Sequence, residues 1–368
     1  MDVATSKPTK VWDQADQVKQ YDLLVFIGRF QPFHLGHGEH IQQALRKAER
    51  VLILIGSSNR ARTPRSPWTY HEREKMFRSL YPWEMANNRI TVKPLVDYVY
   101  NETAWMTKVR EIIQKEVADM WITFSAARIG LVGFEKDHSS YYLKIFGEFS
   151  FVDKEIPYPL FNSTDIRDEY FTASPKLPEI VPPQVKKFMT DFVGTKEWQF
   201  LTQENLFNKQ YKESWKLAPW PVTITTVDPV VVQSGHILLI TRKEFPGKGM
   251  LAFPGGHLNP NERLVDAVVR ELKEETEISD EKGKIPPARL KSFIQKVETF
   301  DDPHRSERAR VITHAYLFKC PDMQTKYYVG GHSDAEKADW YPINEVKSTM
   351  MFEDHYFIMC KLLGLTIE

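Results

Sequence analysis

Short apolar runs alternate with helical patterns along the first half of the chain, and this alternation restricts the fold more than any other feature. Each apolar run is continuous, which is typical of strands buried on both faces of a parallel sheet. The alternation therefore predicts an α/β domain with a doubly wound parallel sheet. We expect strands at 22–28, 51–58, 89–97 and 128–134 and helices at 38–50, 70–82 and 103–120.

The pattern changes near residue 195, after which strand-like runs cluster around isolated helices. This grouping favours an α+β or sandwich-like domain. Its predicted elements are strands at 222–232, 236–243, 289–300 and 310–319 and helices at 262–276 and 351–364. We expect four segments in the chain: a loose arm over 1–20, the α/β domain over 21–195, a linker with room for a short helix over 196–217, and the second domain over 218–368.

The composition excludes several classes of protein. The 49 basic and 49 acidic residues give no net charge, which argues against nucleic-acid binding through a broadly basic surface. Two cysteines are too few for a disulfide scaffold or a cysteine metal site. We expect neither a transmembrane helix, since no run of about 18 apolar residues occurs, nor a secretory signal. A cytoplasmic enzyme or binding protein is therefore predicted.

The stretch "GRFQPFHLGHGEH" begins where the first predicted strand ends. Ligands of parallel sheets bind outside the carboxyl ends of the strands, and a helix N-terminus favours anions. His34 and His37 could donate hydrogen bonds to phosphate there, while Gly28 and Gly36 allow a close approach of the backbone. No Asp, Glu or Cys ligand set accompanies the histidines, so a zinc site is less favoured. The alternative is that both are ordinary turn residues.

A second stretch, "NSTDIRDEYF", combines hydroxyls with a guanidinium at a predicted helix start. Ser163 and Thr164 suit an N-cap, and Arg167 lies one turn into the helix. Such a helix start could hold a triphosphate. A capped surface helix is the alternative, and the motif gains weight only when it is paired with the histidines.

Together these stretches resemble the nucleotidyltransferase superfamily, with "HLGH" at 34–37 and "STDIR" at 163–167. The fuller strings, including "GFEKDHSSYYLKIF", resemble the archaeal-type nicotinamide mononucleotide adenylyltransferases over residues 22–190. The resemblance implies a Rossmann-like fold and the conversion of ATP and nicotinamide mononucleotide (NMN) to NAD and pyrophosphate. Another phosphate acceptor is the alternative, because the histidine motif is shared across the superfamily.

The resemblance also implies roles for individual residues. His34, His37 and Arg167 would hold the triphosphate and act in catalysis, with Mg²⁺ sharing the charge. Lys136 would bind phosphate and Asp137 a ribose or an amide. Trp105 would stack on the nicotinamide ring, unless it is a core aromatic of an amphipathic helix. The remaining substrate-binding candidates are Gly28, Arg29, Phe30, Gly36, Asn59, Trp68, Arg73, Ser163 and Thr164.

Three glutamates of the string "RELKEE" share one helix face. Glu271, Glu274 and Glu275 stand at i, i+3 and i+4, where like charges destabilise a helix unless a cation neutralises them. Oxygen ligands suit Mg²⁺ or Mn²⁺. A solvated glutamate face is the alternative for these residues alone.

The surrounding string resembles the Nudix box, from Gly256 through Glu262 and Arg270 to Ile278. One position departs, because Glu277 replaces the late glycine and leaves the geometry of the helix exit in doubt. The resemblance implies an α/β/α sandwich that hydrolyses a nucleoside diphosphate linked to another group, ADP-ribose in particular. Glu271, Glu274 and Glu275 would bind the metal.

Several assignments in the second domain stay open. Glu274, Glu275, Glu307 or Glu336 could be the general base, and Arg270 is expected to brace the box. The candidates for binding substrate are Gly256, Arg242, Arg305 and Arg310, with surface charge as the alternative for the arginines. A non-catalytic nucleotide-sensing module is the alternative for the domain. The order of the domains resembles a bifunctional family of NAD metabolism, in which an adenylyltransferase is fused to a Nudix hydrolase. The sequence is compatible with a homo-oligomer.

Overall fold

A five-stranded parallel sheet forms the first domain, in the order β3-β2-β1-β4-β5. The computed structural model describes residues 19–133, 145–152, 162–323, 325–331 and 333–367. The chain switches direction across the sheet between β1 and β4, so the predicted doubly wound sheet is confirmed. The strands are β1 (Tyr21–Gly28), β2 (Ala48–Ile55), β3 (Ile90–Pro94), β4 (Ile129–Val132) and β5 (Ser150–Val152).

Helices cover both faces of this sheet. Alternate residues of β1 divide between two apolar cores: Leu24 packs toward α1, α2 and α6, whereas Leu23 packs toward α4. Strands buried on both faces explain why the apolar runs in the sequence are continuous. The helices are α1 (Leu35–Lys47), α2 (Tyr70–Leu80), α3 (Pro82–Ala86), α4 (Glu102–Ala118), α5 (Ser163–Tyr170) and α6 (Pro183–Phe192).

The second domain is built on a mixed seven-stranded sheet with the path β12-β13-β6-β7-β14 and with β8 and β9 attached to it. The strands are β6 (Thr223–Gln233), β7 (His236–Arg242), β8 (Leu251–Ala252), β9 (Gly256–His257), β10 (Ser279–Asp280), β11 (Gly283–Lys284), β12 (Ile294–Phe300), β13 (Arg310–Lys319) and β14 (Ala335–Pro342). Strands β10 and β11 form a separate hairpin.

One helix packs on each face of the mixed sheet, so the predicted α/β/α sandwich is confirmed. Leu238 and Ile240 of β7 face α8, whereas Ile237 and Leu239 face α10. This division follows the two-residue period of a strand. The helices of this part of the chain are α7 (Lys196–Ser214), α8 (Leu264–Thr276), α9 (Pro287–Lys291) and α10 (His355–Leu363). Among the described residues, no helix has both the length and the apolar character needed to cross a bilayer.

Some predicted boundaries were wrong. Helix α1 begins at Leu35, three residues before the expected start, because His34 already serves as its N-cap. Strand β2 also begins three residues early, at Ala48. The run expected as a strand from 289 begins with helix α9, and β12 starts only at Ile294. The segment expected as a linker is largely the 19-residue helix α7. Its buried face carries polar residues such as Glu204, so it has no apolar periodicity to recognise.

Candidate active sites

Two histidines open helix α1 directly after the loop that leaves β1. The backbone N–H of His34 donates to Nδ1 of His37 at 3.2 Å, and the ring centroids are stacked 3.7 Å apart. Because Nδ1 accepts a hydrogen bond, the proton of a neutral His37 lies on Nε2. His37 can therefore donate through Nε2 to an anion at the helix N-terminus.

Arg167 joins the second motif to the same loop. Its guanidinium donates to the carbonyl of Gln31 at 2.6 Å and to the hydroxyl of Thr164 at 3.1 Å. Arg167 is 7% exposed, and this burial, together with the charge of Arg29, lowers its pKa to about 10. A buried cation beside another cation favours the binding of an anion. The histidine and arginine motifs, more than a hundred residues apart in sequence, thus meet at one loop.

Helix α5 begins one residue earlier than expected. The N-cap is Asn162, whose side chain accepts the N–H of Thr164 at 3.0 Å, rather than Ser163 or Thr164. The Ser163 hydroxyl donates to the carbonyl of Pro32 at 3.4 Å. Ser163 therefore ties α5 to the loop after β1, in addition to any contact with substrate.

Packing explains the glycines of the first motif. A Cβ at Gly28 would lie 2.8 Å from the ring of Phe30, and a Cβ at Gly36 would lie 3.1 Å from Nδ1 of His34. Phe30 is buried and has a left-handed φ of 52°. The side chain of the preceding residue, Arg29, is exposed and lines the groove at the end of the sheet.

Arg73 and Trp68, both predicted to contact substrate, are buried beneath the residues that line the groove. Arg73 is 1% exposed and donates to the carbonyls of Arg29 and Gly56, both at 2.7 Å, and of Ser57 at 3.1 Å. The Trp68 ring lies in the apolar core among aromatic rings of α5 and α6. These contacts favour positioning roles over direct binding for both residues.

Both domains line a cleft of about 550 Å³ beside these motifs. Trp105 lines it from α4 and is half-buried, so its ring can reach a ligand. Asn59 braces the wall, because its Oδ1 accepts the N–H of Asp97 at 3.1 Å. Lys136 and Asp137 lie outside the described residues, and their assignment stays a prediction.

Contacts from the second domain hold the same wall. Arg60 pairs with Asp97 at 2.8 Å and also donates to the carbonyl of Glu353 at 3.1 Å. The hydroxyl of Tyr100 donates to Asp354 at 2.5 Å. The cleft is therefore shaped by both domains together.

Arg270 braces the carboxylates of the second motif, as expected. Its guanidinium donates to both carboxylate oxygens of Glu262, at 2.8 and 2.9 Å, and also to Glu271 at 2.7 Å and Glu274 at 3.0 Å. A fifth hydrogen bond reaches the carbonyl of His257 at 3.1 Å. These contacts fix the loop before α8 against the helix.

Glu271 and Glu275 are buried carboxylates one turn apart. Glu275 accepts the N–H of Gly255 at 2.9 Å, and its burial raises its pKa to about 8. Burial also raises the pKa of Glu271. A Cβ at Gly256 would lie 2.6 Å from Oε1 of Glu271, so any side chain there would displace the Glu271 carboxylate. Two buried acids with raised pKa values form a donor set that a divalent cation would stabilise in the ionised form.

The carboxylates do not converge fully as they stand. Within the described part of the chain, no three His, Cys, Asp or Glu side chains form a ready metal site. Arg270 holds Glu271 and Glu274, and the Glu274 side chain is 53% exposed. Binding of a cation would therefore require these side chains to rotate away from Arg270.

Glu277, which replaces the late glycine of the Nudix box, ends helix α8 in a left-handed backbone conformation. Glu277 has a φ of 46° and a ψ of 31°, in the left-handed region that favours glycine. Its N–H donates to the carbonyl of Lys273 at 3.1 Å, and its carboxylate contacts Lys284 at 3.4 Å. The exchange for glutamate therefore leaves the loop geometry intact, at a backbone cost of about 1 kcal/mol.

A cavity of about 210 Å³ lies beside Glu275. Arg242 lines it, packs over the Phe352 ring at 4.2 Å and donates to the carbonyl of Pro246 at 2.8 Å. Arg308, which sequence reasoning missed, lines the same cavity. The run of arginines at 305–310 pointed to this segment, in which the predicted Arg305 lines the cavity as well as Arg308.

The two other arginine candidates have partners within the second domain, and Arg305 also lines the cavity beside Glu275. Arg305 is 7% exposed and makes a bidentate ion pair with Asp354 at 2.9 and 3.0 Å. Arg310 donates to the carbonyl of Asp301 and lines a different cavity, between the domains. A buried ion pair that fixes the loop is therefore the better account of Arg305.

The structure also narrows the choice of a general base. Glu307 accepts the N–H of Arg65 at 3.3 Å and lines the cleft at the first domain. Glu336 is exposed on β14. Among the described residues, neither lines the cavity beside Glu275. Glu275 lines it and is the better candidate, while Glu274 is retained only as its neighbour in the glutamate motif.

Comparison with known proteins divides the chain in the same way. A Cytidylyltransferase-like domain model matches residues 25–169, and a NUDIX domain model matches residues 223–362. The chain is 33% identical to a nicotinamide/nicotinic acid mononucleotide adenylyltransferase of Acinetobacter baylyi, over 50% of this chain and 94% of that protein. It is 31% identical to an ADP-ribose pyrophosphatase of Methanocaldococcus jannaschii, over 39% of this chain and 79% of that protein.

One solved structure is similar to both domains together. The crystal structure of a bifunctional NMN adenylyltransferase/ADP ribose pyrophosphatase from Francisella tularensis, complexed with AMP and a Mn ion, has a TM-score of 0.83 and 31% sequence identity. The match covers 94% of this chain and 99% of that chain. The protein therefore belongs to the family of bifunctional NMN adenylyltransferase/ADP-ribose pyrophosphatases, in which a nucleotidyltransferase domain precedes a Nudix domain.

Proposed function

We propose that the protein catalyses two reactions of NAD metabolism. The first domain transfers the adenylyl group of ATP to NMN and releases pyrophosphate. The second domain hydrolyses ADP-ribose to AMP and ribose 5-phosphate. The observation that carries the proposal is the presence of two different charge arrangements in one chain: histidines and arginines at the sheet of the first domain, and buried glutamates on α8.

Adenylyl transfer needs no protein nucleophile. A phosphate oxygen of NMN attacks the α-phosphorus of ATP, and the bond from that phosphorus to its bridging oxygen breaks as pyrophosphate leaves with the electron pair. His34, His37 and Arg167 would hold the triphosphate and stabilise the charge that develops in the transition state. Trp105 would face the nicotinamide ring, and Lys136 and Asp137 would complete the acceptor site.

Hydrolysis in the second domain requires a water molecule and a base. The water oxygen attacks one phosphorus of the diphosphate, the bridging bond breaks, and the base takes the proton. Glu271, Glu274 and Glu275 would hold a divalent cation, and Glu274 or Glu275 would act as the base. Mg²⁺, or Mn²⁺ in its place, would neutralise the carboxylates and lower the pKa of the water. Arg242 and Arg308 would bind the diphosphate.

Direct assays of the purified protein test both activities. With ATP, NMN and Mg²⁺, we expect NAD and pyrophosphate in equal amounts by chromatography. With ADP-ribose and Mg²⁺ or Mn²⁺, we expect AMP and ribose 5-phosphate, and EDTA should stop the reaction. Absence of NAD would point to another phosphate acceptor in the first domain.

If the second domain senses nucleotides without cleaving them, the assay with ADP-ribose gives a different result. It requires that ADP-ribose binds while remaining intact in the presence of metal. The three box glutamates are all present, and this favours the hydrolase. Cytoplasmic location, oligomeric state and the lack of nucleic-acid partners stay predictions.

A further inference from the structure

The cleft of about 550 Å³ that Trp105 lines is called the acceptor cleft below. A second large cavity lies between the two domains and shares Arg65 with the acceptor cleft. Its volume is about 660 Å³, within the range of nucleotide-sized ligand sites. Three parts of the chain line it: the triphosphate motif with Arg167, helix α7 with Lys209 and Lys212, and the loop 303–310 of the second domain. We call this cavity the interdomain chamber.

The interdomain chamber is strongly cationic. Seven basic side chains line it against two acidic ones. In the described part of the chain, only two of the seven pair with a carboxylate, Lys209 with Asp168 at 3.7 Å and Arg308 with Glu353 at 4.0 Å. Unpaired cations crowded around a cavity repel one another, and a polyanion would remove that repulsion.

A buried amide on the wall supports the same interpretation. Asn208 of α7 is 4% exposed, and neither polar atom of its side chain has a hydrogen-bond partner among the described residues. An unsatisfied buried amide costs about 1–3 kcal/mol. Both atoms are inaccessible to solvent, so a phosphate oxygen or an ordered water would reach the amide nitrogen once the side chains of the chamber wall move apart. Native structures retain such groups where a ligand or ordered water completes them.

We propose that the interdomain chamber binds a diphosphate group, with Lys209 and Lys212 of α7 and Arg308 and Arg310 of the second domain adding to the grip of Arg167. The inference rests on the proposed adenylyl transfer, since that reaction supplies two sources of this chemistry. One source is the β,γ-diphosphate of bound ATP, and the other is released pyrophosphate. Helix α7 and the Nudix loop would thereby be part of the adenylyltransferase site.

Arg308 connects the interdomain chamber with the Nudix cavity. Among the described residues, it is the one that lines both the interdomain chamber and the cavity beside Glu275. A diphosphate in the chamber would therefore compete for the same guanidinium as a diphosphate in the Nudix cavity. Inorganic pyrophosphate should then raise the KM for ADP-ribose.

The test uses the full-length double variant Lys209→Gln/Lys212→Gln, because both lysines are exposed enough for the fold to tolerate the change. Lys196→Gln is the matched control, an exposed lysine at the start of the same helix. Binding of inorganic pyrophosphate is measured by calorimetry, and the KM for ATP and the kcat are measured by NAD formation. ADP-ribose hydrolysis without pyrophosphate reports that the fold is intact.

We expect the double variant to bind pyrophosphate about 10-fold more weakly, roughly the loss of two exposed charge-assisted contacts. A parallel rise in the KM for ATP identifies the β,γ-diphosphate as the ligand, whereas an unchanged KM identifies released pyrophosphate. Unchanged binding of both pyrophosphate and ATP overturns the proposal. Failure of the wild-type protein to make NAD would instead refute the proposed function, so the two failures are distinguishable.

Discussion

The two catalytic regions deal with diphosphate chemistry through opposite charges. The first surrounds the phosphates with protein cations, and its buried Arg167 lies near Arg29 with its pKa lowered to about 10. The second presents carboxylates, and its buried Glu275 has a pKa raised to about 8. Each region is incomplete in the opposite sense, since one needs an anion and the other a cation. The comparison shows why only the second site is expected to depend on buried glutamates.

The largest effect is expected from Glu275→Gln, which removes the charge without changing the size of the side chain. We expect ADP-ribose hydrolysis to fall by roughly 10³-fold, since metal binding and proton transfer both lose a carboxylate. NAD formation should stay within about 2-fold of wild type, because the first site uses no residue of α8. Steady-state kinetics of both reactions measure this. Retained hydrolysis would break the assignment of Glu275.

A buried ion pair of the second domain, Arg305 with Asp354, lies at the contact with Tyr100 of the first domain, and Asp354→Asn tests how much it contributes to stability. The substitution leaves the buried Arg305 guanidinium with Asp228, at 4.0 Å, as its remaining carboxylate, which should cost about 3 kcal/mol of unfolding free energy. Asp22→Asn is the control, because it removes a more exposed pair with Arg128 and should cost no more than about 1 kcal/mol. Urea unfolding measures both. Equal, small losses would show that the buried pair contributes no more to stability than the exposed one.

The raised pKa of Glu275 predicts a pH dependence of stability in metal-free protein. Glu275 and Glu204 both have pKa values raised to about 8 by burial, from an ordinary 4.5. The folded protein therefore binds more protons than the unfolded chain between these values, and its stability should fall as the pH rises from 5 to 8. The expected loss is on the order of 3 kcal/mol per group.

Thermal unfolding at several pH values separates the two glutamates. Glu275→Gln and Glu204→Gln should each remove part of the pH dependence. Mg²⁺ at pH 8 should raise the Tm of wild type and of Glu204→Gln but not of Glu275→Gln, because only Glu275 lies in the carboxylate cluster of the box. An equal response to Mg²⁺ in all three proteins would contradict the metal assignment.

A smaller effect is expected at the aromatic wall of the acceptor cleft. Trp105→Ala should raise the KM for NMN by roughly 5–10-fold with little change in the KM for ATP, which is the loss expected for a cation–π contact of about 1 kcal/mol. Trp68→Phe, in the core, should lower the Tm instead and leave both KM values near wild type. If the KM for NMN is unchanged, the Trp105 ring is a packing residue.

The regular parts of both domains could be predicted from sequence, because local patterns determine them. Continuous apolar runs marked β1 and β2, and the spacing of the Nudix box placed Glu271 and Glu275 on one helix face. The full length of helix α7 could not be recognised, and only a short helix was allowed for, because its buried face carries Glu204, Asn205 and Asn208 beside a single Leu201. Periodicity reports only apolar burial.

The choice among similar side chains also depended on tertiary structure. Arg305 and Arg308 stand three residues apart in one loop and both line the cavity beside Glu275, yet Arg305 is held by Asp354 at 2.9 Å whereas Arg308 pairs with Glu353 at 4.0 Å. Arg73 was a reasonable candidate for substrate binding, but carbonyls from the ends of β1 and β2 occupy its guanidinium. Spacing identifies a cation, whereas only the fold identifies its partner.

The two reactions use separate catalytic groups of opposite charge, and His37→Ala tests this separation most directly. Both reactions are measured on one preparation of the variant, with wild type in parallel. We predict that NAD formation falls by about 10²-fold or more, through loss of a transition-state hydrogen bond, while ADP-ribose hydrolysis keeps its wild-type kcat and KM. Unchanged NAD formation, or a parallel loss of both activities in folded protein, would contradict the account.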